Sequence, residues 1–223
     1  ATVQRQPAHH SRFIQIDLKP HARLLRNAAA PAGGGVAIYG LQNVIDPGLH
    51  VVVAGLHVRA SVQCAFGCVH EGPISTAHIA AIIRRFVDHG THELSLADTT
   101  GMGSPPVIQA ALDAVLPLAG SLPLALHLHD TRGLGLVNLM AALTHGVSIF
   151  DTALAGMGGC PFVPGAAGNI ATEDTAHLLE TLGISTGVNY RRVGDVSRDM
   201  ELFFRKTFPG RMHRLTASST PSH

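Results

Sequence analysis

Residues 122–130 read LPLALHLHD, an apolar run that ends in two histidines and an aspartate. Apolar runs of this kind alternate with helix-like runs from Val51 onward, at intervals of about 30 residues, the size of one βα unit. Such alternation predicts a parallel sheet covered by helices, and both an open doubly wound sheet and a closed barrel satisfy it. In either architecture, ligands bind at the carboxyl edge of the strands, where polar residues follow these runs.

From Val51 onward, the pattern predicts four strands, each followed by a helix. Gly90 marks the end of the first helix, and Pro73 with Ser75 or Thr76 marks its start. The predicted strands are Val51–Val62, Glu93–Ala97, Leu122–Leu128 and Val147–Leu154. The predicted helices are Ser75–His89, Pro105–Leu118, Leu136–His145 and Thr172–Leu182. Residues 1–50 are irregular, with one possible strand at Val36–Gly40.

Composition excludes several classes of protein. Of 223 residues, 46% are hydrophobic and 14% are charged, which is typical of a globular chain with a buried core. The formal net charge of +1 gives no support to a nucleic-acid partner, and no apolar run approaches the roughly 20 residues of a membrane-spanning helix. Three cysteines do not form a disulfide framework, and no signal-peptide pattern opens the chain, so we predict a cytoplasmic location.

The two histidines at the end of the run 122–130 are candidate metal ligands. His127 and His129 are separated by one residue, and side chains alternate along a strand, so both imidazoles point to the same side. They can therefore reach one metal ion. Two unrelated strand histidines would give the same spacing, but the Asp130-Thr131 pair that follows favours the ligand interpretation.

A glycine-rich stretch over residues 155–169 carries one cysteine, Cys160, and ends in Asn169. It contains too many glycines for a helix and is too long for a tight turn, so it indicates a mobile loop over the mouth of a site. A thiol on such a loop suits an acid, a base or a nucleophile. A surface loop with an incidental cysteine is the alternative. The loop is not a phosphate-binding P-loop, because no Lys-Ser/Thr pair follows the glycines.

Asp98 and two further cysteines lie near other strand ends. A carboxylate at the end of a buried strand, as at Asp98, is costly unless it is paired or functional, although it could also cap the following segment. Cys64 and Cys68 are four positions apart, which is not a usual zinc spacing, and no second pair completes a set of four ligands. We interpret these two cysteines as core or near-site residues.

Four segments together resemble the hydroxymethylglutaryl-CoA lyase family of metal-dependent barrels, across about residues 57–190. They are residues 63–72 (QCAFGCVHEG), 96–101 (LADTTG), 127–131 (HLHDT), and 155–161 (AGMGGCP) continuing into 168–174 (GNIATED). The related isopropylmalate and homocitrate synthases share the His-x-His strand but lack the Gly-Gly-Cys-Pro loop. That loop therefore discriminates between the two groups.

The resemblance implies a (β/α)₈ barrel of the TIM type and an acyl-CoA substrate. It implies a divalent cation, Mg²⁺ or Mn²⁺, held by His127, His129 and Asn169, although zinc would also suit these ligand types. It implies an acid at Cys160, with Asp98 and His127 as the candidates for proton handling near the substrate hydroxyl. The residues expected to contact the substrate are Ser95, Thr131, Gly158 and Gly159. Family members are usually dimers, so a homodimer is expected.

The sequence departs from the family pattern in one respect. An Arg-Asp-Glu signature closes the first barrel strand in the family, and the only Arg-Asp pair here, Arg198-Asp199, lies in a helix-like stretch. A closed barrel takes about 250 residues, so we expect five or six βα units, an incomplete barrel. The expected division is an irregular or degenerate segment over residues 1–50 and the C-terminal part of the barrel over residues 51–215.

The leading functional expectation is cleavage of 3-hydroxy-3-methylglutaryl-CoA, with a longer-branched acyl-CoA as a close variant. One alternative is a catalytically impaired fragment or paralogue that keeps metal or acyl-CoA binding, which the missing Arg-Asp pair favours. Another is an acyl-CoA condensing synthase of the same superfamily, against which Cys160 argues. The mitochondrial matrix is the alternative to a cytoplasmic location.

Overall fold

The fold is taken from a computed structural model, which describes residues 57–159 and 163–215 in full and residues 12–16 in their backbone alone. The predicted strand at Val36–Gly40 lies outside the described residues, as do Cys160 and the first part of the predicted strand Val51–Val62. The strands are β1 Arg12–Ile16, β2 Val58–Val62, β3 Glu93–Ala97, β4 Leu124–His127 and β5 Ile149–Asp151. The helices are α1 Thr76–Asp88, α2 Pro105–Ala119, α3 Gly135–Thr144, α4 Thr172–Thr181, α5 Tyr190–Phe204 and α6 Met212–Leu215.

The five strands form one parallel sheet in the order β1-β2-β3-β4-β5. Each strand therefore pairs with its neighbour in sequence, with a helix between successive strands from β2 to β5. A doubly wound sheet reverses its strand order at a switch point, whereas a barrel adds strands in one direction. The described strands follow the barrel pattern and make up an incomplete barrel.

The two faces of this sheet differ in polarity. On the face covered by helices, β2 and β3 bury Val58, Ala60, Val62, Leu94 and Leu96. Helices α1 and α2 pack against these residues with their own buried apolar side chains, among them Ile79, Ile83, Ile108 and Leu112. The alternate positions carry polar side chains, namely Arg59, Ser61, Glu93, Ser95, His127 and Asp151. This polar face is the inner side of the barrel wall.

Local sequence signals set the ends of the helices. The Ser75 hydroxyl accepts a hydrogen bond from the backbone N–H of His78 at 3.2 Å, so the first helix begins where it was predicted. Pro105 occupies the first turn of α2, where its missing N–H costs no hydrogen bond. The predicted strand Val147–Leu154 is shorter in the structure, because Leu154 already belongs to a 3₁₀ turn, Leu154–Gly156.

The C-terminal helices lie beyond the predicted elements. Arg198, which the sequence placed in a helix-like stretch, lies in α5 and donates a hydrogen bond through Nη1 to the carbonyl of His213 at 2.6 Å. Asp195 forms an ion pair with the same arginine. No helix within residues 57–159 and 163–215 is both long and apolar enough to cross a membrane.

Candidate active site

The two predicted histidine ligands converge on one point. His127 is the last residue of β4, and its Nε2 atom lies 3.2 Å from Nε2 of His129, with the ring planes inclined at 54°. Two ligands bound at right angles to a cation, each about 2.1 Å away, have their donor atoms roughly 3.0 Å apart. The observed separation of the two nitrogens therefore fits ligands of a single ion.

His127 is oriented by an ion-pair network on the inner face. Its Nδ1 atom lies 3.5 Å from Oδ2 of Asp151, which leaves Nε2 facing His129. Nη1 of the buried Arg59 donates to Oδ1 of Asp151 at 2.9 Å, and Nε of Arg59 lies 3.1 Å from Glu93. Burial raises the pKa of Asp151, but hydrogen bonds and charge from His127 and Arg59 outweigh it, so this pKa lies below its ordinary value. The carboxylate is thus ionised at neutral pH.

His129 is neutral at physiological pH. Burial disfavours its charged form and His127 adds repulsion, while the side chain of Asn169 acts in the opposite direction, and the net effect lowers the pKa of His129 to about 4. A neutral imidazole keeps a lone pair for a metal ion. The side chain is only 7% exposed, so bulk water competes poorly for this position.

Asn169 completes the predicted ligand set. It pairs with His129 in an isolated antiparallel bridge, which brings the loop end beside the histidine pair. Its Nδ2 donates to the carbonyl of Met157 at 2.7 Å, so the amide orientation is fixed. The buried Oδ1 atom has no hydrogen-bond partner among the described residues. An amide oxygen left in this state is available to a hard cation such as Mg²⁺ or Mn²⁺.

Asp98 follows β3 and is completely buried. Its Oδ1 accepts a hydrogen bond from the N–H of Gly103 at 3.0 Å, whereas the buried Oδ2 has no such partner in the part of the chain described. Burial raises the pKa of Asp98 to about 6, against the opposing effects of the Gly103 and Met102 N–H groups, Arg132 and His127. The carboxyl group can therefore exchange a proton near neutral pH, which suits a general base.

The capping role considered for Asp98 is also partly present. The bond to Gly103 closes the turn before α2, although the helix itself is capped at Ser104. A Cβ atom on Gly103 would lie 2.9 Å from Oδ2 of Asp98, so glycine is needed for this close approach. The turn thus positions the Asp98 carboxylate through Oδ1 and provides no hydrogen bond for Oδ2.

The remaining predicted residues are distributed around these groups. Ser95 is buried on the inner face of β3, and the Oγ1 atom of Thr131 is buried without a hydrogen-bond partner in residues 57–159 and 163–215. Gly158 and Gly159 follow the 3₁₀ turn, and a Cβ on Gly158 would lie 2.6 Å from Nδ2 of Asn169. Contact of these four with substrate stays a prediction. Cys160 lies outside the described residues.

Cys64 and Cys68 are buried and are not joined by a disulfide. Cys64 has a positive φ of 52°, and its N–H donates to Oγ1 of Thr99 at 2.9 Å. Both cysteines occupy the turn after β2, in agreement with their interpretation as core or near-site residues. Across the described residues, no three His, Cys, Asp or Glu side chains are close enough together to hold a metal ion, so the candidate set rests on two imidazoles and an amide.

The network behind His127 was not anticipated from the sequence. Arg59, Glu93 and Asp151 each lie within a strand, and a charged residue inside an apolar strand is a signal that could have identified them. Glu173 and His213, which are both completely buried and lie 3.1 Å apart, were likewise missed. Their partners come from distant parts of the chain, which sequence spacing does not reveal.

Comparison with known proteins decides the family. The HMGL-like family model matches residues 50–200. The chain belongs to the HMGL-like family. The mitochondrial hydroxymethylglutaryl-CoA lyase of Homo sapiens is 46% identical over 140 residues, which are 63% of this chain and 43% of the human enzyme. This HMGL-like chain thus spans less than half the length of that curated relative.

Solved structures give the same family and confirm the barrel type. The HMG-CoA lyase of Bacillus subtilis superposes with a TM-score of 0.75 and 33% identity, covering 79% of this chain and 59% of that one. The HMG-CoA lyase of Acinetobacter baumannii, in complex with coenzyme A and 3-methylmalate, gives 0.71 and 36%, covering 78% of this chain and 57% of that one. The described part of this HMGL-like chain is therefore an incomplete barrel of the lyase type.

Proposed function

We propose that this member of the HMGL-like family is a carbon–carbon lyase that cleaves 3-hydroxy-3-methylglutaryl-CoA to acetyl-CoA and acetoacetate. The close approach of His127, His129 and Asn169 carries the proposal, with Asp98 beside them through its backbone N–H, which donates to the carbonyl of His127 at 2.8 Å. The similarity to lyases that bear this name supports the choice of substrate. The coenzyme A complex of the Acinetobacter relative supports an acyl-CoA ligand.

A divalent cation, Mg²⁺ or Mn²⁺, fits the ligand set of His127, His129 and Asn169. The orphaned Oδ1 of Asn169 and the 3.2 Å separation of the two Nε2 atoms are the observations that support it. Such a cation would act as a Lewis acid toward the hydroxyl and a carboxylate oxygen of the substrate. Asp151 fixes the tautomer of His127 by accepting from Nδ1, as outer partners of metal-bound histidines commonly do.

Asp98 is the proposed general base. Its unsatisfied Oδ2 would take the proton of the tertiary hydroxyl, and the C–O bond would become a carbonyl as the neighbouring C–C bond breaks. The electron pair of the broken bond forms the enolate of acetyl-CoA, and acetoacetate leaves. Cys160 would donate a proton to the enolate carbon from its loop. His127 serves as a ligand in this scheme rather than as the base, because both of its ring nitrogens are engaged.

Substrate contacts are proposed for Ser95, Thr131, Gly158 and Gly159, and assembly as a homodimer is carried over from the family resemblance. The human relative is a mitochondrial enzyme by name, which supports the matrix rather than the cytoplasm as the location. A catalytically impaired paralogue is the second candidate. Arg198-Asp199, the Arg-Asp pair of the printed sequence, lies in α5 and not at a strand end.

Acetoacetate release from 3-hydroxy-3-methylglutaryl-CoA by the purified chain tests the proposal. The reaction is run with Mg²⁺ or Mn²⁺, with Cys160→Ala and Asp98→Asn as variants. Turnover that both substitutions reduce at least a hundredfold would support the lyase and its roles for these residues. A folded chain that binds Mn²⁺ without turnover would favour the impaired paralogue. Acetyl-CoA-dependent condensation with a 2-oxo acid would instead indicate a synthase.

A further inference from the structure

The 3₁₀ turn at the start of the glycine-rich loop has an unusual backbone. Ala155 is buried and lies at φ 52° and ψ 14°, a left-handed conformation that residues with a Cβ atom rarely adopt. Such a residue keeps this conformation only where its surroundings hold it in place. The groups that hold Ala155 come from α4 and from the segment Phe208–Leu215, here called the C-terminal clamp.

Both polar backbone groups of Ala155 are bound. Its N–H donates to Oε2 of the buried Glu173 at 3.1 Å, and its carbonyl accepts from the N–H of Gly210 in the clamp at 2.8 Å. The two backbones lie so close that a Cβ on Gly210 would be 3.0 Å from Ala155. The clamp and α4 therefore each bind the turn, through one hydrogen bond apiece to the backbone of Ala155.

His213 joins these two elements to α5. It is completely buried, with Nδ1 3.1 Å from Oε1 of Glu173 and Nε2 3.1 Å from Oε1 of Glu201. The ring therefore lies between the carboxylate of Glu173 in α4 and that of Glu201 in α5, within ion-pair distance of both. Oε1 of Glu201 also accepts from the N–H of Phe208 at 2.7 Å, which fixes the start of the clamp.

The charge around Glu201 agrees with this arrangement. Burial raises the pKa of Glu201, but the Phe208 N–H, His213 and the nearby Arg214 together lower it below its ordinary value. Arg214 also donates a hydrogen bond to the carbonyl of Phe208, which joins the two ends of the clamp. The clamp is thus closed on itself and anchored to α5.

The turn that holds Ala155 is hydrogen-bonded to a proposed metal ligand, Asn169. The carbonyl of Met157, two residues after Ala155, accepts the Nδ2 hydrogen bond that orients Asn169. Gly156 lies between Ala155 and Met157 in the chain. A Cβ atom on Gly156 would lie 3.0 Å from the carbonyl oxygen of Asn169 and 3.1 Å from Pro209 of the clamp. Any shift of the turn would therefore rotate or displace the amide of Asn169.

We propose that His213 is a positioning residue, which, by bridging Glu173 and Glu201, holds the clamp against the Ala155–Met157 turn and so sets the orientation of the Asn169 amide. The inference rests on the proposed function in so far as Asn169 is a cation ligand. Its structural part, the hold of His213 on the turn, does not depend on any reaction. Two measurements separate these parts.

Amide hydrogen exchange tests the hold on the turn. The full chain is compared with His213→Gln, which removes the ring that lies between Glu173 and Glu201, and with Glu201→Gln, a milder change should the first variant fail to fold. His145→Gln is the matched control, since His145 contacts Asp113 and the carbonyl of Ala141 rather than the clamp. We expect exchange in residues 154–159 to accelerate at least tenfold in the two clamp variants and not in the control. Unchanged exchange there, in folded variants, would overturn the proposal.

Mn²⁺ binding, followed by electron paramagnetic resonance of the free ion, tests the link to Asn169. Residues that orient metal ligands typically contribute about 10- to 100-fold in affinity, so we expect at least a tenfold loss in the clamp variants. A purely structural role for His213 would lower the melting temperature and leave the affinity unchanged, which refutes the link. If the unaltered chain binds no Mn²⁺, the proposed metal centre fails, and hydrogen exchange alone decides whether His213 holds the turn.

Discussion

Replacement of Asp151 tests how far the inner network, rather than the ligands themselves, organises the site. Asp151→Ala removes both the carboxylate beside Nδ1 of His127 and one of the carboxylates that pair with Arg59. Asp151→Asn keeps an acceptor oxygen for His127 but removes the charge. The pair of variants therefore separates orientation of the imidazole from neutralisation of the buried guanidinium.

The magnitude of the stability loss follows from the surroundings of Arg59. Leaving a buried charge without its partner costs about 3–5 kcal/mol. Arg59 keeps Glu93 at 3.1 Å, and the side chain of Asp151 is 34% exposed, so solvent weakens the pair that is lost. We expect either variant to lower the free energy of unfolding by about 1–2 kcal/mol, which urea denaturation monitored by circular dichroism would measure.

Metal affinity distinguishes the two variants. With the acceptor for Nδ1 removed, His127 is free to turn or to change tautomer, so Asp151→Ala is expected to weaken Mn²⁺ binding about 10- to 100-fold. Asp151→Asn should retain most of the affinity. Asp113→Asn serves as the control, because Asp113 is an exposed carboxylate whose histidine partner is outside the site. Equal Mn²⁺ affinity in Asp151→Ala and the unaltered chain would refute the role assigned to Asp151.

Three further predictions concern proton binding, loop packing and ligand linkage. The pKa of Asp98 rises on folding from 3.8 to about 6, so the native state binds the extra proton and stability should fall as pH rises between these values, by about 3 kcal/mol in total. Asp98→Asn should flatten this part of a pH-dependent denaturation series; a slope that persists in the variant contradicts the assignment. Gly168→Ala places a Cβ 2.0 Å from the carbonyl of Gly158 at a φ of 96°, so we expect a loss of about 1–3 kcal/mol and weaker Mn²⁺ binding, with Gly183→Ala, also at positive φ but in open space, as the control. Mn²⁺ at a hundred times the dissociation constant of the unaltered chain should raise that chain's free energy of unfolding by about 2.7 kcal/mol. An equal rise in His129→Ala at the same Mn²⁺ concentration would exclude His129 as a ligand.

Most of the fold between residues 57 and 182 could be predicted because its signals are local. Glu93–Ala97 was predicted with its observed bounds, and Thr172–Leu182 differs from α4 by one residue. Periodicity and capping residues decide such elements, and both are visible within a short window of sequence. The predicted strand Val147–Leu154 is longer than β5, which spans Ile149–Asp151, because the 3₁₀ turn at Leu154–Gly156 has no local signal in the sequence.

The location of the candidate residues was predictable where they follow strand ends, and their long-range contacts were not predictable; their functional roles stay predictions. His127, His129, Asp98 and Asn169 were identified from their positions beside apolar runs and from the family resemblance. The bridge between His213 and Glu173 joins α4 to a four-residue helix near the end of the described chain, and nothing in the sequence around either residue signals the other. Pairs of this kind depend on tertiary packing, which periodicity does not encode.

The sequential strand order has a consequence for how the site assembles during folding. Asp98, His127, His129 and Asn169 come from consecutive βα units, each paired with its immediate predecessor in the chain. Contacts between near neighbours in sequence close small loops and form faster than contacts between distant segments. The histidine pair and Asp98 should therefore come together early, as β3 and β4 dock. The contact between His213 and Glu173 requires α5 and the clamp, which follow later in the chain, so the orientation of Asn169 is expected to be the last feature of the site to become fixed.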